Sequence, residues 1–117
     1  MSKADIRDIE IDNTRDILLN IFQRSTRNTS FGMYQDVVNQ ANDYDFELTN
    51  IKCPVVVFQC EDDLSTPPAV GEYYKDNIHN CILHLVPNAG HLWHFHHMKD
   101  IFTEGLKEID EYNLGKK

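Results

Sequence analysis

The chain has 117 residues, of which 41% are apolar and 26% are charged, and its formal net charge is −8. The length fits one domain, and the composition is that of a globular protein rather than a disordered chain. The acidic charge repels nucleic-acid phosphates and anionic membranes, and the apolar runs are too short to cross a bilayer. We therefore expect a cytoplasmic protein that binds neither nucleic acid nor membrane.

The N-terminal third predicts helices preceded by an arm. Residues 1–12 are polar and acidic without a clear period, which indicates a loosely held arm. In residues 13–42, apolar side chains recur at helical spacing in two groups. A polar connection from Ser25 to Ser30 separates these groups, so we expect two amphipathic helices.

Residues 43–112 predict a βαβα unit. Pro54 to Cys60 is a β-branched run that is apolar on both faces, as is typical of a strand in a parallel sheet covered by helices. Thr66 followed by Pro67 indicates a helix start with Thr66 as the cap. Cys81 to Val86 is the second predicted strand, so the two strands and the helix between them form a right-handed βαβ unit.

A long C-terminal helix is predicted from about His96 to Tyr112, followed by a tail at residues 113–117. Its expected buried face consists of apolar residues at helical spacing, namely Met98, Ile101, Phe102, Leu106 and Ile109. The fold class is therefore α/β. One domain spans residues 1–117, with two parallel strands, N-terminal helices and this long C-terminal helix.

Two turns carry the residues with catalytic chemistry. The first strand leads into Glu61-Asp62-Asp63, with Pro67 four residues after Asp63, and the second leads into Asn88-Ala89-Gly90-His91. This order of strand, acidic turn, helix, strand and Gly-His turn resembles the C-terminal portion of the α/β-hydrolase superfamily. The resemblance covers about residues 43–109, and it implies a partial α/β-hydrolase fold.

The resemblance also implies an esterase- or lipase-like serine hydrolase in which Asp63 is the triad acid and His91 is the base. Asp62 is the competing acid, but the register to the following proline favours Asp63. Cys60 stands where the family usually has glycine. Histidine suits the base role because it exchanges protons near neutral pH, and a buried carboxylate holds the ring in the required tautomer. The carboxyl ends of parallel strands meet at one edge of a sheet, so both side chains are expected there.

The nucleophile of that family is missing. It belongs to a G-x-S-x-G turn between a strand and a helix, and no serine here has such flanking glycines; the serines are Ser2, Ser25, Ser30 and Ser65. Cys60 is a poor substitute, because a strand-end thiol beside carboxylates has a raised pKa. We expect the chain to contribute the acid and base of an ester or amide hydrolase without being active alone. The alternative is a non-catalytic interaction or dimerisation module derived from the same fold.

No cofactor or functional metal is expected. The three cysteines form no CxxC pair and are interpreted as reduced core residues, although metal ligation is the alternative. A histidine cluster also invites a metal interpretation, but it lacks a carboxylate or cysteine at ligand-like spacing; its members are His91, His94, His96 and His97. Trp93 and Phe95 either line an acyl pocket or fill the core beneath the last helix.

The predicted sheet implies a partner. A two-stranded parallel unit is marginal by itself, and the strand at Val55 to Phe58 keeps an unpaired apolar edge that another strand can join. We therefore expect self-association, or a partner segment that completes the sheet and carries the nucleophile.

Overall fold

The computed structural model describes residues 1–115, which form a mixed α/β structure of five α-helices and a two-stranded parallel sheet. In chain order the elements are α1 (Lys3–Ile9), α2 (Thr14–Ser25), α3 (Phe31–Ala41), a 3-10 helix (Leu48–Asn50), β1 (Val55–Cys60), α4 (Pro68–Asn77), β2 (Cys81–Val86) and α5 (His94–Asn113). Residues 116 and 117, the end of the predicted tail, lie outside the described residues. No helix in residues 1–115 is long and apolar enough to span a membrane.

The two predicted parallel strands are confirmed. β1 and β2 pair in parallel, with Val55 opposite Cys81 and Cys60 opposite Val86. β1 begins one residue later than predicted because Pro54, which has no N–H to donate, stays outside the ladder. The sheet therefore ends at Cys60 and Val86, and both following turns begin at the same edge.

The helix between the strands starts later than predicted. Pro67, not Thr66, is the capping residue of α4, and Pro68 is the first helical residue, where a missing N–H costs no hydrogen bond. Gly71 is buried in this helix, and a Cβ atom at that position would lie 2.9 Å from Cβ of Gln59 in β1. Glycine therefore permits the close approach of α4 to β1.

Replacing Gly71 with Ala is expected to lower the free energy of unfolding by about 1–3 kcal/mol, because the new methyl group overlaps a strand side chain near its backbone. Gly32 in α3 is the matched control, since nothing lies within 4 Å of a Cβ there. Gly32→Ala should raise stability by up to about 1 kcal/mol through helix propensity. Urea denaturation of both variants measures the difference, and equal effects would contradict this packing.

Residues 3–9 form a helix in place of the loosely held arm expected for residues 1–12. Ser2 caps α1 in a capping box with Asp5, and the buried residues of the helix are Ala4, Asp5 and Asp8. The buried side of α1 is thus mainly polar. Hydrophobic periodicity cannot reveal a helix whose buried residues are mainly carboxylates, which explains why the expectation of an arm was wrong.

α5 spans the predicted helix, but only Ile101 and Ile109 of its predicted buried face are half-buried, and the rest of that face is exposed. Gly105 and Glu108 are its buried residues, and Glu108 Oε1 lies 2.8 Å from Nε2 of His84 on β2. Phe102 and Leu106 were expected in the core, yet they are 59% and 58% exposed. They line an open groove of about 260 Å³ with Val56 and Phe58 of β1. The apolar stripe therefore forms one wall of a groove that the described residues leave uncovered.

α2 and α3 also leave apolar surface exposed. α2 buries only Thr14, and α3 buries no residue. The exposed apolar side chains of the two helices are Ile17, Leu19, Ile21, Phe22, Phe31, Met33, Tyr34 and Val37.

The chain is less compact than a typical domain of its size. Its accessible surface is 8786 Å², against roughly 6,600 Å² for a compact monomer of this mass. The radius of gyration is 16.6 Å, against about 13.4 Å for a compact domain of this length.

Candidate active site

Asp63 is held by the turn that follows β1. Its Oδ1 atom accepts the backbone N–H groups of Ser65 and Thr66, each at 2.8 Å, and the residue is only 8% exposed. A carboxylate that accepts N–H groups two and three residues ahead closes a local turn. One oxygen is therefore fixed by the backbone, and Oδ2 remains for another partner.

That partner is His91, whose Nδ1 atom lies 3.0 Å from Oδ2 of Asp63. The turn after β2 brings the ring there through Asn88, which has a φ of 55°, a left-handed conformation that asparagine tolerates well. The backbone N–H of Asp62 donates to the Ala89 carbonyl at 2.9 Å and joins the two turns. The two predicted site residues thus meet at the carboxyl edge of the sheet, while the competing Asp62 is exposed.

His91 also lines a cavity of about 290 Å³ between the sheet and α5. Apolar side chains form much of its wall, including Phe58, Trp93 and Ile101. Trp93 therefore lines the cavity, and its ring also stacks on that of His97 with ring centroids 4.5 Å apart. Phe95 lies outside this lining and is 39% exposed.

The second nitrogen of His91 is open. The His91 side chain is 49% exposed, and within residues 1–115 its Nε2 atom has no hydrogen-bond partner. An imidazole that is hydrogen-bonded to a carboxylate through one ring nitrogen and has no partner at the other has the arrangement of a general base.

Helix α1 contacts the turn that carries His91, a feature that the sequence interpretation missed. Asp5 Oδ1 accepts the N–H of Leu92 at 2.8 Å, and Arg7 Nη2 donates to the Asn88 carbonyl at 2.8 Å. Burial raises the pKa of Asp5, but hydrogen bonds from Leu92 and Ser2 outweigh it and bring that pKa below its ordinary value. The local signal was the pattern Ser2-Lys3-Ala4-Asp5, which is typical of a capping box.

None of the serines in residues 1–115 hydrogen-bonds to His91. The Ser2 hydroxyl donates to Asp5 Oδ2 at 2.8 Å, and the Ser25 hydroxyl donates to the Phe22 carbonyl at 2.8 Å. Ser65 lines a second small cavity beside His91 without hydrogen-bonding to the ring. The described residues therefore hold Asp63 and His91 side by side, and none of their serines hydrogen-bonds to the His91 ring.

The cysteines show no sign of nucleophilic activation. Burial, together with the negative charge of Asp63, raises the pKa of Cys60 to about 11, which is the direction expected beside carboxylates. Burial likewise raises the pKa of Cys81. Cys53 is exposed, so the interpretation of the cysteines as core residues is wrong for Cys53. All three thiols are free. At neutral pH the Cys60 thiol therefore remains protonated and unreactive.

The other three histidines of the cluster have separate hydrogen-bond partners. His94 Nδ1 lies 3.0 Å from the His91 carbonyl, His97 Nδ1 lies 2.7 Å from the Trp93 carbonyl, and His96 Nε2 lies 3.1 Å from the Asp8 carbonyl. In the part of the chain that the structure describes, no group of three or more histidine, cysteine or carboxylate side chains is placed to hold a metal ion.

A comparison with protein-family models, with curated proteins and with solved structures finds no match.

Proposed function

We propose that the chain is the C-terminal portion of a serine-hydrolase-like protein and supplies the acid and the base for cleavage of a small ester or amide. The observation that carries the proposal is the Asp63–His91 pair. One oxygen of the carboxylate is fixed by two backbone N–H groups, and the other contacts Nδ1 of the ring at 3.0 Å. The α/β-hydrolase origin of the fold is part of the same proposal.

The roles follow from this geometry. The Asp63 carboxylate favours the tautomer in which His91 carries its proton on Nδ1, so the lone pair is on the open Nε2. Nε2 can then accept a proton from an attacking hydroxyl group and later return it to the leaving alkoxide or amine. The ionised Asp63 stabilises the imidazolium that exists between these two transfers.

The reaction needs a nucleophile and oxyanion donors from another polypeptide segment. The free edge of β1 is the surface proposed to receive it. Val55 and Glu61 direct their N–H groups to β2, so the alternate residues between them, Val56, Phe58 and Cys60, direct theirs to the unpaired edge. A further strand can pair there and cover the groove beside α5. The excess accessible surface noted above supports a partner segment or a second copy of the chain.

A second candidate function is a non-catalytic interaction or dimerisation module. The observation that favours it is the exposed apolar surface of α2 and α3, which is unrelated to the Asp63–His91 pair. The two candidates differ in the role of the pair. If the chain acts only through an interface, His91→Ala and Asp63→Asn leave partner binding and biological activity unchanged.

Complementation tests the proposed hydrolase. DNA upstream of the Met1 codon is searched for a segment that encodes a G-x-S-x-G turn, and the encoded polypeptide is mixed with this chain in a p-nitrophenyl acetate assay. We expect each piece alone to hydrolyse the ester no faster than free imidazole, and the mixture to exceed their sum by about 100-fold or more.

The matched control is the same mixture prepared with His91→Ala, which removes the base and leaves the sheet unchanged. A mixture that is no faster than the separate pieces, or equally fast without His91, would overturn the proposed function.

A further inference from the structure

We infer that α1 holds the base in place and that Asp5 is a positioning residue for His91. The inference rests on the proposed function for its catalytic meaning, but the contact itself is structural. Asp5 lies 87 positions before Leu92 in the chain, and its carboxylate accepts the backbone N–H immediately after His91. Asp5 lines the second small cavity beside His91 but not the 290 Å³ cavity, and its hydrogen bond is to the Leu92 backbone rather than to the His91 ring, so it acts through the turn.

Side chains of α1 hydrogen-bond to the turn on both sides of His91. Arg7 Nη2 donates to the Asn88 carbonyl, three residues before His91, and Asp5 Oδ1 accepts the Leu92 N–H, one residue after it, each at 2.8 Å. Both contacts come from one turn of α1. A turn fixed at two points restricts how far the His91 ring can move away from Asp63.

The Asp5 carboxylate is itself rigidly held. Its Oδ2 atom accepts the hydroxyl of Ser2 at 2.8 Å and the backbone N–H of Ser2 at 3.2 Å, and the residue is 3% exposed. A buried carboxylate with hydrogen bonds to both oxygens has little freedom to rotate. The capping box therefore starts α1 and also orients Oδ1 of Asp5 toward the Leu92 N–H.

Gly90 shows that the turn and α1 are fitted closely. A Cβ atom at Gly90 would lie 2.5 Å from Asp5 Oδ1 and 2.5 Å from Ser2 Oγ. A larger residue would displace the Asp5 carboxylate or the Ser2 hydroxyl from these positions. Glycine next to His91 therefore permits the close approach of these two side chains of α1 and its cap.

Three charged or titratable side chains lie near the His91 ring. Asp63 contacts Nδ1, the ring of His94 lies 6.4 Å away on α5, and Asp5 contributes negative charge from α1. Because the pKa of Asp5 is lowered overall, Asp5 stays ionised at neutral pH and its contact with Leu92 is charge-assisted.

Nuclear magnetic resonance of the full chain tests the inference without requiring activity. Two signals are followed: the exchange rate of the Leu92 amide, and the His91 Nδ1 proton with the ring nitrogen shifts that report the tautomer. Asp5→Ala should speed Leu92 exchange about tenfold or more and broaden or remove the Nδ1 signal. Asp5→Asn should restore both in part, because its amide oxygen can still accept the Leu92 N–H, although its NH₂ group then faces the Ser2 N–H that donates to Oδ2 in the wild-type chain.

Two further variants separate positioning from other effects. Ser2→Ala removes the cap of α1 but keeps the Asp5 acceptor, so it should speed exchange in α1 more than at Leu92. Asp16→Ala, at an exposed carboxylate of α2, removes the same charge and should change neither signal. Asp5→Ala spectra identical to those of Asp16→Ala would overturn the inference.

Failure of the inference is distinguishable from failure of the proposed function. If the wild-type chain shows no His91 Nδ1 signal and Asp63→Asn changes nothing, the acid–base pair itself is wrong. If the signal is present and depends on Asp63 but not on Asp5, only the positioning role is wrong. If Asp5→Ala does not fold, amide exchange in the wild-type chain tests the inference instead. A Leu92 amide that exchanges as fast as the amides of the exposed connection between α2 and α3 would exclude the hydrogen bond to Asp5.

Discussion

Asp63→Asn is expected to slow ester hydrolysis by the complemented protein about 10³- to 10⁴-fold while the chain stays folded. The asparagine oxygen can still accept the N–H groups of Ser65 and Thr66, but its NH₂ group then faces His91 Nδ1. The ring must accept that hydrogen bond, so its proton moves to Nε2. In this tautomer His91 cannot accept a proton from the nucleophile.

Two other substitutions define what the carboxylate does. Asp62→Asn removes the same charge at the exposed neighbouring position, and we expect less than a threefold change in rate, because the carboxylate that hydrogen-bonds to the ring is that of Asp63. Asp63→Ala also removes the acceptor for two backbone N–H groups, so it should lower the free energy of unfolding by about 2–4 kcal/mol. Equal losses of rate for Asp62→Asn and Asp63→Asn would exclude Asp63 as the acid of the pair.

The sheet was predictable because its signals are local. The β-branched run of β1 is apolar on both faces, and β2 follows after a helix of ordinary length, a combination that fits a parallel pair. Parallel strands place their following turns at one edge, which is why Asp63 and His91 could be expected to meet. The separation of 3.0 Å could not be predicted, since it depends on the left-handed Asn88 and on the N–H of Asp62 that joins the turns.

The role of α1 could not be predicted from periodicity. Its buried residues include two carboxylates, and the hydrogen bond from Leu92 to Asp5 joins residues 87 positions apart. Nothing local in the sequence indicates that contact. The capping box was visible as a pattern, but the pattern predicts only a helix start and not the surface on which the helix lies.

The predicted buried face of α5 was right only in part, for a different reason. Periodicity correctly identifies an apolar stripe that includes Phe102 and Leu106, but it cannot say whether the layer that covers the stripe belongs to the same chain. Here the described residues leave the stripe on the wall of an open groove, and the buried residues of α5 are Gly105 and Glu108. The same observation supports a partner segment or a second copy over the groove.

The double substitution Phe102→Glu and Leu106→Glu is expected to abolish association at this groove. Both side chains are more than half exposed in the single chain, so the substitutions should change its unfolding free energy by less than about 1 kcal/mol. Burial of two large apolar side chains against a partner contributes about 3–6 kcal/mol, so their loss should weaken association, and with it complementation, by about 100-fold or more.

The matched control adds the same charge to α5 outside the apolar stripe, through Thr103→Glu and Asn113→Glu, both at exposed positions.

Sedimentation velocity of the isolated chain distinguishes the two proposed partners, a second copy of the chain and a segment that carries the nucleophile. If a second copy covers the groove, the wild-type chain sediments as a dimer and the Phe102/Leu106 variant as a monomer. If the nucleophile-bearing segment covers it, both are monomers alone and only the mixture with that segment changes. A Phe102/Leu106 variant that associates and complements as well as the control would show that the groove is not the interface. A further strand at the free edge of β1 would then have to bind without contacting the apolar stripe of α5.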